Sequence, residues 1–466
     1  MVPTVRLCLC AASWKHHSHD MKMKTGVSLT LLGLLRFLVL AVQQCSLEKG
    51  GGFCPEGNTC CLLEGGGSGC IPNDMGDYNA TCCSDGLTGC AVNYTCGANQ
   101  QCHATEGLRD PLVQVMPRYT LCHPTSNALK NVHGFPIAED AKLAYYSSHG
   151  NILLESLDHI QIALVIIHGA GRNADDYLCS ATAAVKLQKK YPAQSVLIIV
   201  PHFPSVTDDP ITLYEGGIPL KWGDDNEWRY GGQAIYPPYA NNVSSFDTVD
   251  RIMHVLHNRT TLKHVTIAGH SAGGQFAQRW SLLTQSWIPN RMSSAVANPS
   301  NYAYLTPLRL LNGTWQIPRK HDCPQYNEWE FGLEKGGDQT MAYKDRALRV
   351  LGDNITALME RFAGRRITYL AGGADRCNVS EYERDGWCFS HGLETSCMNM
   401  LQGSNRWERN LRYCTSLRRL GIKTHKRWVV SGVGHDHSLI FTSPSGLEAL
   451  FPNVEEDTTF NRIEYE

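Results

Sequence analysis

Apolar and mixed segments alternate along the chain from about residue 120 onward. Six apolar, β-branched runs of five to seven residues recur there, at residues 162–168, 195–201, 264–269, 294–298, 367–372 and 428–432. Continuous runs of this length fit strands that are buried on both faces. Helix-like stretches separate them, at residues 181–190, 246–256, 274–283, 347–362 and 406–420. This alternation predicts an α/β domain with a doubly wound, mostly parallel sheet over residues 120–455.

Residues 45–103 follow a different pattern. The segment holds ten of the 19 cysteines, is rich in Gly, Asn, Asp and Ser, and has almost no periodic apolar pattern. A segment this short cannot close a sufficient hydrophobic core, so we expect disulfides to replace it. The absence of C-x2-C pairs, with His103 as the only nearby histidine, argues against a zinc site.

The cysteine spacing of this segment resembles that of the granulin family. The matching pieces are CPEGNTCC, NATCCSD and NYTC, which contain the adjacent pairs Cys60-Cys61 and Cys82-Cys83. The chain departs from the family at Cys70-Ile71 and Cys90-Ala91, where two further pairs would be usual, so one whole bridge is absent in this interpretation. The resemblance implies a ladder of short hairpins stacked on disulfides. A cysteine knot of another family is the alternative.

The first 43 residues are predicted to be a leader and a secretory signal. Lys22 and Lys24 precede residues 27–42, which are apolar apart from Ser28, Thr30, Gly33 and Arg36. Positive residues, a short apolar stretch and a small residue at its end are typical of a cleaved signal. The alternative is a membrane anchor, although this stretch is short for a span of about 20 residues.

Two further features favour secretion. Seven Asn-x-Ser/Thr sequons occur, at Asn79, Asn93, Asn242, Asn258, Asn312, Asn354 and Asn378, and 19 cysteines are many for a reduced cytosolic enzyme. We therefore expect a secreted or extracellular protein, with a lysosomal, vacuolar or membrane-anchored location as the alternative. Losing Cys8 and Cys10 with the leader leaves 17 of the 19 cysteines, an odd number that indicates a free thiol or a different cleavage point. The formal net charge of −2, without a basic stripe, does not favour nucleic-acid binding.

The clearest chemical motif is Gly269-His270-Ser271-Ala272-Gly273, which matches G-x-S-x-G between a predicted strand and a predicted helix. A serine on so sharp a turn has strained dihedrals, and side chains at Gly269 and Gly273 would collide with the neighbouring strand or helix. The amides that follow the serine lie at a helix N-terminus, where negative charge is stabilised. The setting favours Ser271 as a nucleophile over a serine that merely occupies a tight turn.

A second motif, His168-Gly169-Ala170-Gly171, directly follows the predicted strand at residues 162–168. A strand followed by HGxG is the arrangement that forms the oxyanion hole of lipases and esterases. We expect the amide of Ala170 or Gly171 to join that of Ala272 around the developing oxyanion. The alternative is a glycine-rich strand exit. Phosphate binding is less favoured because neither G-x-G-x-x-G nor a Walker lysine follows.

A nucleophilic serine needs a base, and the base needs an orienting acid. Asp375 follows the run at residues 367–372, and His435 lies in the loop GVGHDH after residues 428–431. Both come at carboxyl ends of predicted strands, where ligands gather in open α/β sheets. His437 competes for the role of base, His270 is expected to line the turn, and the alternative for Asp375 is a simple turn aspartate.

In this order the motifs resemble the α/β-hydrolase superfamily across residues 120–455. The pieces HGAGRNADDY, GHSAGGQFAQR, NPSNYAYL and QGSNRWERN look like an esterase-like branch of it. The resemblance implies acyl-enzyme chemistry without a metal or other cofactor. We expect a secreted serine hydrolase that cleaves a small-molecule or lipid-like carboxylic ester. The alternatives are a serine peptidase or acyltransferase with the same triad, or an inactive hydrolase fold whose granulin-like module binds a protein or glycan partner.

Two insertions are expected to shape the pocket. Residues 202–245 carry Trp222, Trp228, Tyr230, Tyr236 and Tyr239, which either line an apolar acyl site or only pack the loop. Residues 376–424 hold Cys377, Cys388, Cys397 and Cys414, which is consistent with a disulfide-stapled cap for which three pairings exist.

Overall fold

The structure is a computed structural model that describes residues 131–334, 342–376 and 393–453, together with the backbone of short strands between residues 42 and 104. The chain divides into two compact units, Met1–Gln100 and Gln101–Glu466. The predicted signal before residue 42, the cysteine pairing in residues 45–103, and Cys377 and Cys388 all lie outside what the structure describes.

The described part of the first unit contains short antiparallel strand pairs. Val42–Gln44 pairs with Phe53–Pro55, Asn58–Leu62 with Ser68–Pro72, and Thr81–Cys82 with Gly89–Cys90. In the second of these pairs, Cys60 lies opposite Cys70. The pairs agree with the series of short hairpins that the granulin resemblance implies.

The second unit is built on a nine-stranded sheet. Its longer strands are β1 (His133–Ala138), β2 (Ala141–Ser147), β3 (Ile162–Ile167), β4 (Val196–His202), β5 (His264–His270), β6 (Met292–Ala297), β7 (Ile367–Gly372) and β8 (Lys426–Val430). They lie in the order β1-β2-β4-β3-β5-β6-β7-β8, and the short strand Ile218–Pro219 also pairs with β2. Strand β2 is antiparallel to β1 and β4, and every pairing from β4 to β8 is parallel. The predicted mostly parallel sheet is confirmed.

Helices of the second unit connect these strands and cover the sheet. They are α1 (Ala174–Leu187), α2 (Ser245–His257), α3 (Ala272–Leu283), α4 (Ala342–Arg349), α5 (Ile355–Ala363), α6 (Cys397–Met400), α7 (Arg406–Arg419), α8 (His437–Thr442) and α9 (Pro444–Leu450). The single helix expected over residues 347–362 is two helices, because Gly352 and Asp353 adopt positive φ angles of 64° and 57° and end the first. No helix in the described part of the chain is long and apolar enough to cross a membrane.

The core lies on both faces of this sheet, as a doubly wound fold requires. Side chains of β3 alternate between two buried clusters, with Val165 and Ile167 in one and Leu164 and Ile166 in the other. Residues of α2, α3 and α5 belong to the first cluster, and residues of α1, α8 and α9 to the second. Both faces of the central strands are therefore covered.

Candidate active site

Ser271 occupies a sharp turn between β5 and α3. Its φ and ψ angles are 59° and −122°, a conformation that is uncommon for a residue other than glycine. Its backbone N–H donates to the carbonyl of Ala297 at the end of β6, at 3.0 Å. The turn is therefore strained and is also held by the neighbouring strand, a combination that concentrates at functional sites.

The glycines around Ser271 are required by close backbone approaches. A Cβ atom on Gly269 would lie 2.1 Å from the carbonyl oxygen of Gly273, and one on Gly273 would lie 2.1 Å from that of Ile167. Gly274, which the sequence analysis did not single out, has a similar constraint, because its Cβ would lie 2.5 Å from the carbonyl oxygen of Ala297. Helix α3 thus begins in contact with the ends of β3 and β6.

Asp375 and His435 are brought together beside this turn. Asp375 lies just after β7 and His435 just after β8, and the His435 Nδ1 atom is 2.8 Å from Asp375 Oδ2. Both residues are buried, with 2% and 8% of their surface exposed. The His435 ring centroid lies 4.4 Å from that of His270, the residue before Ser271. Asp375 and His435 are therefore paired with each other, and His435 lies next to the residue that precedes Ser271.

The surroundings of Asp375 favour its ionised form. Burial by itself would raise its pKa, but the charge and hydrogen bond of His435, with Arg406 and Asn298, outweigh burial and lower the pKa to about 2. Arg406 NH1 lies 3.7 Å from Asp375 Oδ1, and both side chains are almost fully buried. The acid can therefore accept the Nδ1–H of His435 across the whole physiological pH range.

Asn298 is a site residue that the sequence analysis missed. It follows β6 with a positive φ of 42° and donates through Nδ2 to Asp375 Oδ2 at 2.6 Å and to the Gly434 carbonyl at 3.3 Å. Its Oδ1 accepts the N–H of Gly372 at 3.1 Å. Its position in NPSNYAYL, at the carboxyl end of a predicted strand, was the available signal.

His437, the competing base, lies farther from the turn, because its ring centroid is 6.0 Å from that of His270, compared with 4.4 Å for His435. Its Nδ1 lies 2.8 Å from Ser180 Oγ, and its ring stacks on Tyr177 at a centroid distance of 4.1 Å. Burial lowers its pKa. His437 is thus packed against α1, while His435 has the contact with Asp375.

The loop that begins at His168 lies against the serine. A Cβ atom on Gly169 would be 3.7 Å from Ser271 Cβ, and the Arg172 N–H closes a turn onto the Gly169 carbonyl at 3.0 Å. Within residues 131–334, 342–376 and 393–453, no acceptor is hydrogen-bonded to the amides of Ala170 and Gly171. The Ala272 amide lies in the first turn of α3, where amides have no acceptor within the helix.

His168 holds the start of this loop rather than taking part in proton transfer. Its Nε2 accepts the Phe203 N–H at 3.0 Å, so Nδ1 carries the hydrogen that is donated to the Gly169 carbonyl at 2.9 Å. Complete burial, assisted by the charge of His202, lowers the pKa of His168 to about 3. The residue is therefore a neutral, fixed connector between β3 and β4.

Arg172 anchors the other end of the loop to the insertion at residues 202–245. Its Nε and NH2 atoms donate to the two carboxylate oxygens of Asp208 at 2.6 and 2.7 Å, and NH1 donates to Asn226 Oδ1 at 2.9 Å. The hydrogen bond from Arg172 lowers the pKa of Asp208. This bidentate contact, which the sequence analysis also missed, sets the position of the loop through charge-assisted bonds.

The tryptophans of this insertion pack its interior. Trp222 and Trp228 are both fully buried, and Trp228 stacks on Phe203 at 5.3 Å and lies edge-on to His168 at 4.6 Å. Tyr236 and Tyr239, by contrast, are more than two fifths exposed. Of the two interpretations of this loop, the structure supports packing for the tryptophans.

The cysteines of residues 376–424 do not pair as a group. Cys397 forms a disulfide with Cys323, 74 residues earlier, and Cys414 is a buried free thiol on α7. The prediction that the four cysteines of this insertion pair with one another is therefore wrong for Cys397 and Cys414. The partner of Cys397 in space, Cys323, lies in another loop. Helix α7 packs against β7 as an ordinary crossover helix. The described residues contain no group of three or more His, Cys, Asp or Glu side chains that could hold a metal.

Curated sequences match only the cysteine-rich part of the chain. Progranulin of Homo sapiens is 39% identical over 69 residues, which are 15% of this chain and 11% of that protein. Granulin of Dictyostelium discoideum is 40% identical over 60 residues, which are 13% of this chain and 43% of that protein. The chain thus spans less than half the length of either relative. No protein-family model matches the chain.

Solved structures match the larger part. A poly(3-hydroxybutyrate) depolymerase from Bordetella parapertussis is 18% identical, with a TM-score of 0.43, over 71% of this chain and 94% of that one. Poly(aspartic acid) hydrolase-1 from Sphingomonas sp. KT-1 is 18% identical, with a TM-score of 0.42, over 68% and 97%. The esterase Est1E from Butyrivibrio proteoclasticus is 10% identical, with a TM-score of 0.31, over 66% and 94%.

The fold can be assigned from the sheet itself. Its mostly parallel strands, covered by helices on both faces, carry a serine on the strand-to-helix turn after β5. The chain therefore consists of a granulin-like segment followed by a domain with the α/β-hydrolase fold.

Proposed function

We propose that this protein is a secreted serine hydrolase that cleaves a carboxylic ester through Ser271, His435 and Asp375. The observation that carries the proposal is the hydrogen-bonded pair of His435 and Asp375, which lies beside the strained turn at Ser271. A buried imidazole next to an ionised carboxylate is the arrangement that activates a serine hydroxyl.

In the proposed reaction, Ser271 Oγ attacks the ester carbonyl carbon while His435 Nε2 accepts the hydroxyl proton. Asp375 keeps the other ring nitrogen protonated and stabilises the imidazolium. The oxyanion of the tetrahedral intermediate is bound by the amides of Ala272 and of Ala170 or Gly171. Collapse of this intermediate breaks the ester C–O bond, and the alcohol leaves with the proton from His435. Water then attacks the acyl-enzyme through the same base, which releases the acid and restores Ser271.

The substrate class in this proposal is a small-molecule or lipid-like ester, and no cofactor takes part. The HGxG loop next to the serine supports it, because that loop is a feature of lipases and esterases. A serine peptidase or an acyltransferase would use the same three residues. These activities are separated by offering matched p-nitrophenyl esters and p-nitroanilides, with and without an added alcohol as acyl acceptor.

Covalent labelling by a fluorophosphonate probe tests the nucleophile without knowledge of the substrate. We expect the wild-type protein to be labelled and Ser271→Ala not to be. Ser281→Ala is the matched control, because Ser281 is a fully buried serine at the opposite end of α3. Equal labelling of Ser271→Ala and Ser281→Ala would exclude Ser271 as the nucleophile. A wild-type protein that is folded but unlabelled would favour the alternative of an inactive fold that binds a partner through its granulin-like module.

Secretion is part of the proposal and is supported by the surface of the second unit. Four sequon asparagines, Asn242, Asn258, Asn312 and Asn354, fall in the described residues, and all four are exposed. Exposed sequons are accessible to glycosylation in the secretory pathway. We expect protein recovered from the medium to lose mass when treated with an N-glycosidase. Retention of all the protein inside cells, without glycans, would contradict this part of the proposal.

A further inference from the structure

We infer that Arg406 is a positioning residue that holds the Asp375 carboxylate toward His435. The inference rests on the proposed function of this site, because the pair of Asp375 and His435 is what Arg406 would support. The effect of Arg406 would be transmitted through the acid.

The first helical turn of α7 contacts Asp375 at both its side chain and its backbone. Arg406 NH1 faces Asp375 Oδ1 at 3.7 Å, and the Trp407 N–H donates to the Asp375 carbonyl at 3.1 Å. Helix α7 is 14 residues long, so its N-terminus adds a partial positive charge on the same side. The loop that carries the acid is therefore attached to the start of this helix.

The two oxygens of Asp375 have separate partners. Oδ2 receives the hydrogen bonds of His435 and Asn298, at 2.8 and 2.6 Å, whereas Oδ1 faces Arg406. Arg406 is itself fixed, because its Nε donates to Ser300 Oγ at 3.3 Å. Oδ2 therefore faces the imidazole of His435, and the positive charge of Arg406 lies next to the other carboxylate oxygen, Oδ1.

Few other charges act on this pair. Arg409 lies one turn further along α7, but its guanidinium is bonded to the carbonyls of Gly403, Ser300 and Glu394. The Glu394 carboxylate acts on both arginines from the segment before α6. His435 on the loop after β8 also acts on Asp375, and the ring of His270, another titratable group, lies 4.4 Å from that of His435. Arg406 is the cation in the ion pair with Asp375.

The consequence for catalysis follows from burial. A buried carboxylate that loses its cation is left uncompensated, and the low dielectric then favours proton uptake. Because Asp375 and His435 share a hydrogen bond, removing a positive charge beside them favours proton uptake by the pair at a higher pH. A pair that has taken up this proton cannot act as a base toward Ser271. Loss of Arg406 is therefore expected to shift the low-pH limb of the activity profile to a higher pH.

The test measures the rate constant of fluorophosphonate labelling in the full-length protein between about pH 4 and pH 9. Four proteins are compared: wild type, Arg406→Gln, Arg406→Lys and Arg365→Gln. Arg365 is the matched control, because it is equally buried and bonded to the Ser281 and Thr284 carbonyls. It precedes β7, so that strand, about 20 Å long, separates it from Asp375.

We expect Arg406→Gln to shift the low-pH limb of the labelling profile to a pH that is higher by about one unit or more. The labelling rate constant near pH 5 should then fall about tenfold more than that near pH 8. Arg406→Lys, which keeps the charge, should retain most of the wild-type profile, and Arg365→Gln should retain all of it. If Arg406 had only a structural role, Arg406→Gln would lower the folded yield or the melting temperature without shifting the low-pH limb of the labelling profile.

Three outcomes contradict the inference. If the wild type is labelled and folded Arg406→Gln has the profile of Arg365→Gln, Arg406 has no positioning role, while the proposed function stands. If the wild type is not labelled at any pH, the proposed function fails and the inference fails with it. Should Arg406→Gln not fold, Arg406→Gln combined with Asp375→Asn removes both charges and is expected to fold. Failure of this double variant while Arg365→Gln folds would also contradict the pairing.

Discussion

Asn298 donates a hydrogen bond to the same carboxylate oxygen of Asp375 that accepts from His435. The amide also bonds the Gly434 carbonyl and the Gly372 N–H, so one side chain joins the loops after β6, β7 and β8. The proposed acid and base are therefore held relative to each other by a residue outside the proposed triad. A charged hydrogen bond of this kind typically contributes about 1.5–3 kcal/mol.

Replacing Asn298 should weaken this arrangement. We expect Asn298→Ala to lower the labelling rate constant and ester turnover by about 10- to 100-fold, in line with the loss of one charged hydrogen bond. Asn290→Ala is the control, because Asn290 also has a positive φ, 62°, but lies on an exposed turn. Steady-state kinetics at pH 8 measure both. Equal losses in the two variants would show that backbone strain, and not the contact with Asp375, is responsible.

The two histidines of the loop after β8 should behave differently. We expect His435→Ala and Ser271→Ala to be similarly damaging, and Asp375→Asn to reduce turnover by about 10⁴-fold through loss of tautomer control. His437→Ala removes a stacking contact with Tyr177, so it should lower stability more than turnover. Kinetics and thermal unfolding of the four variants test this, and a larger kinetic defect in His437→Ala than in His435→Ala would reverse the assignment.

The contact between Arg172 and Asp208 should affect the oxyanion site. Asp208→Asn keeps the shape of the side chain but removes its negative charge. This change weakens the contact with Arg172 and is expected to loosen the loop that carries Ala170 and Gly171. We expect kcat to fall about tenfold with little change in KM, because the amides bind charge that develops only in the transition state.

A boronic acid inhibitor, which mimics the tetrahedral intermediate, should lose affinity by a similar factor. The control is Asp247→Asn, which breaks a partly exposed ion pair with Arg346 between α2 and α4. Loss of substrate binding with unchanged kcat in Asp208→Asn would argue against the oxyanion role of this loop.

Trp228 should matter for stability and not for acyl-chain preference. It is fully buried between Phe203, Phe276 and His168, so Trp228→Ala should cost about 3–5 kcal/mol of unfolding free energy. Urea unfolding measures this cost. A series of p-nitrophenyl esters from acetate to hexanoate should show the same relative rates in the variant. A change in that chain-length profile would restore the interpretation of this loop as the acyl pocket.

The second unit should be active without the first. All the proposed catalytic residues belong to Gln101–Glu466, and the predicted hydrolase domain spans residues 120–455. A protein that begins near residue 110 should therefore keep turnover of short water-soluble esters. Circular dichroism confirms that it is folded. Loss of turnover in a folded protein of this kind would mean that the cysteine-rich segment completes the site.

Local patterns were sufficient for the central strands and for the elbow. Each strand from β3 to β8 overlaps an apolar run. For β3 to β7 the reason is that a parallel strand covered on both faces is mostly apolar, whereas β8 lies at the sheet edge and is partly exposed. The glycines around Ser271 could likewise be interpreted from the G-x-S-x-G pattern, although only the approach at Gly269 is local, whereas that at Gly273 involves Ile167 of β3. Strand β1 was not predicted, because Gly134 and Pro136 are unfavourable in a strand interior and are tolerated here at the sheet edge.

Only the tertiary structure decided which distant residues meet. Asn298 and Arg406 reach Asp375 from other loops, and Cys397 pairs with Cys323 rather than with a nearer cysteine. The burial of Trp222 and Trp228 was also undetermined, since an aromatic residue on a long loop is equally suited to a pocket or to a core. In each case the physical reason is the same. Contacts between residues remote in sequence depend on how the sheet aligns its strand ends, and a single sequence contains no local periodicity that encodes that alignment.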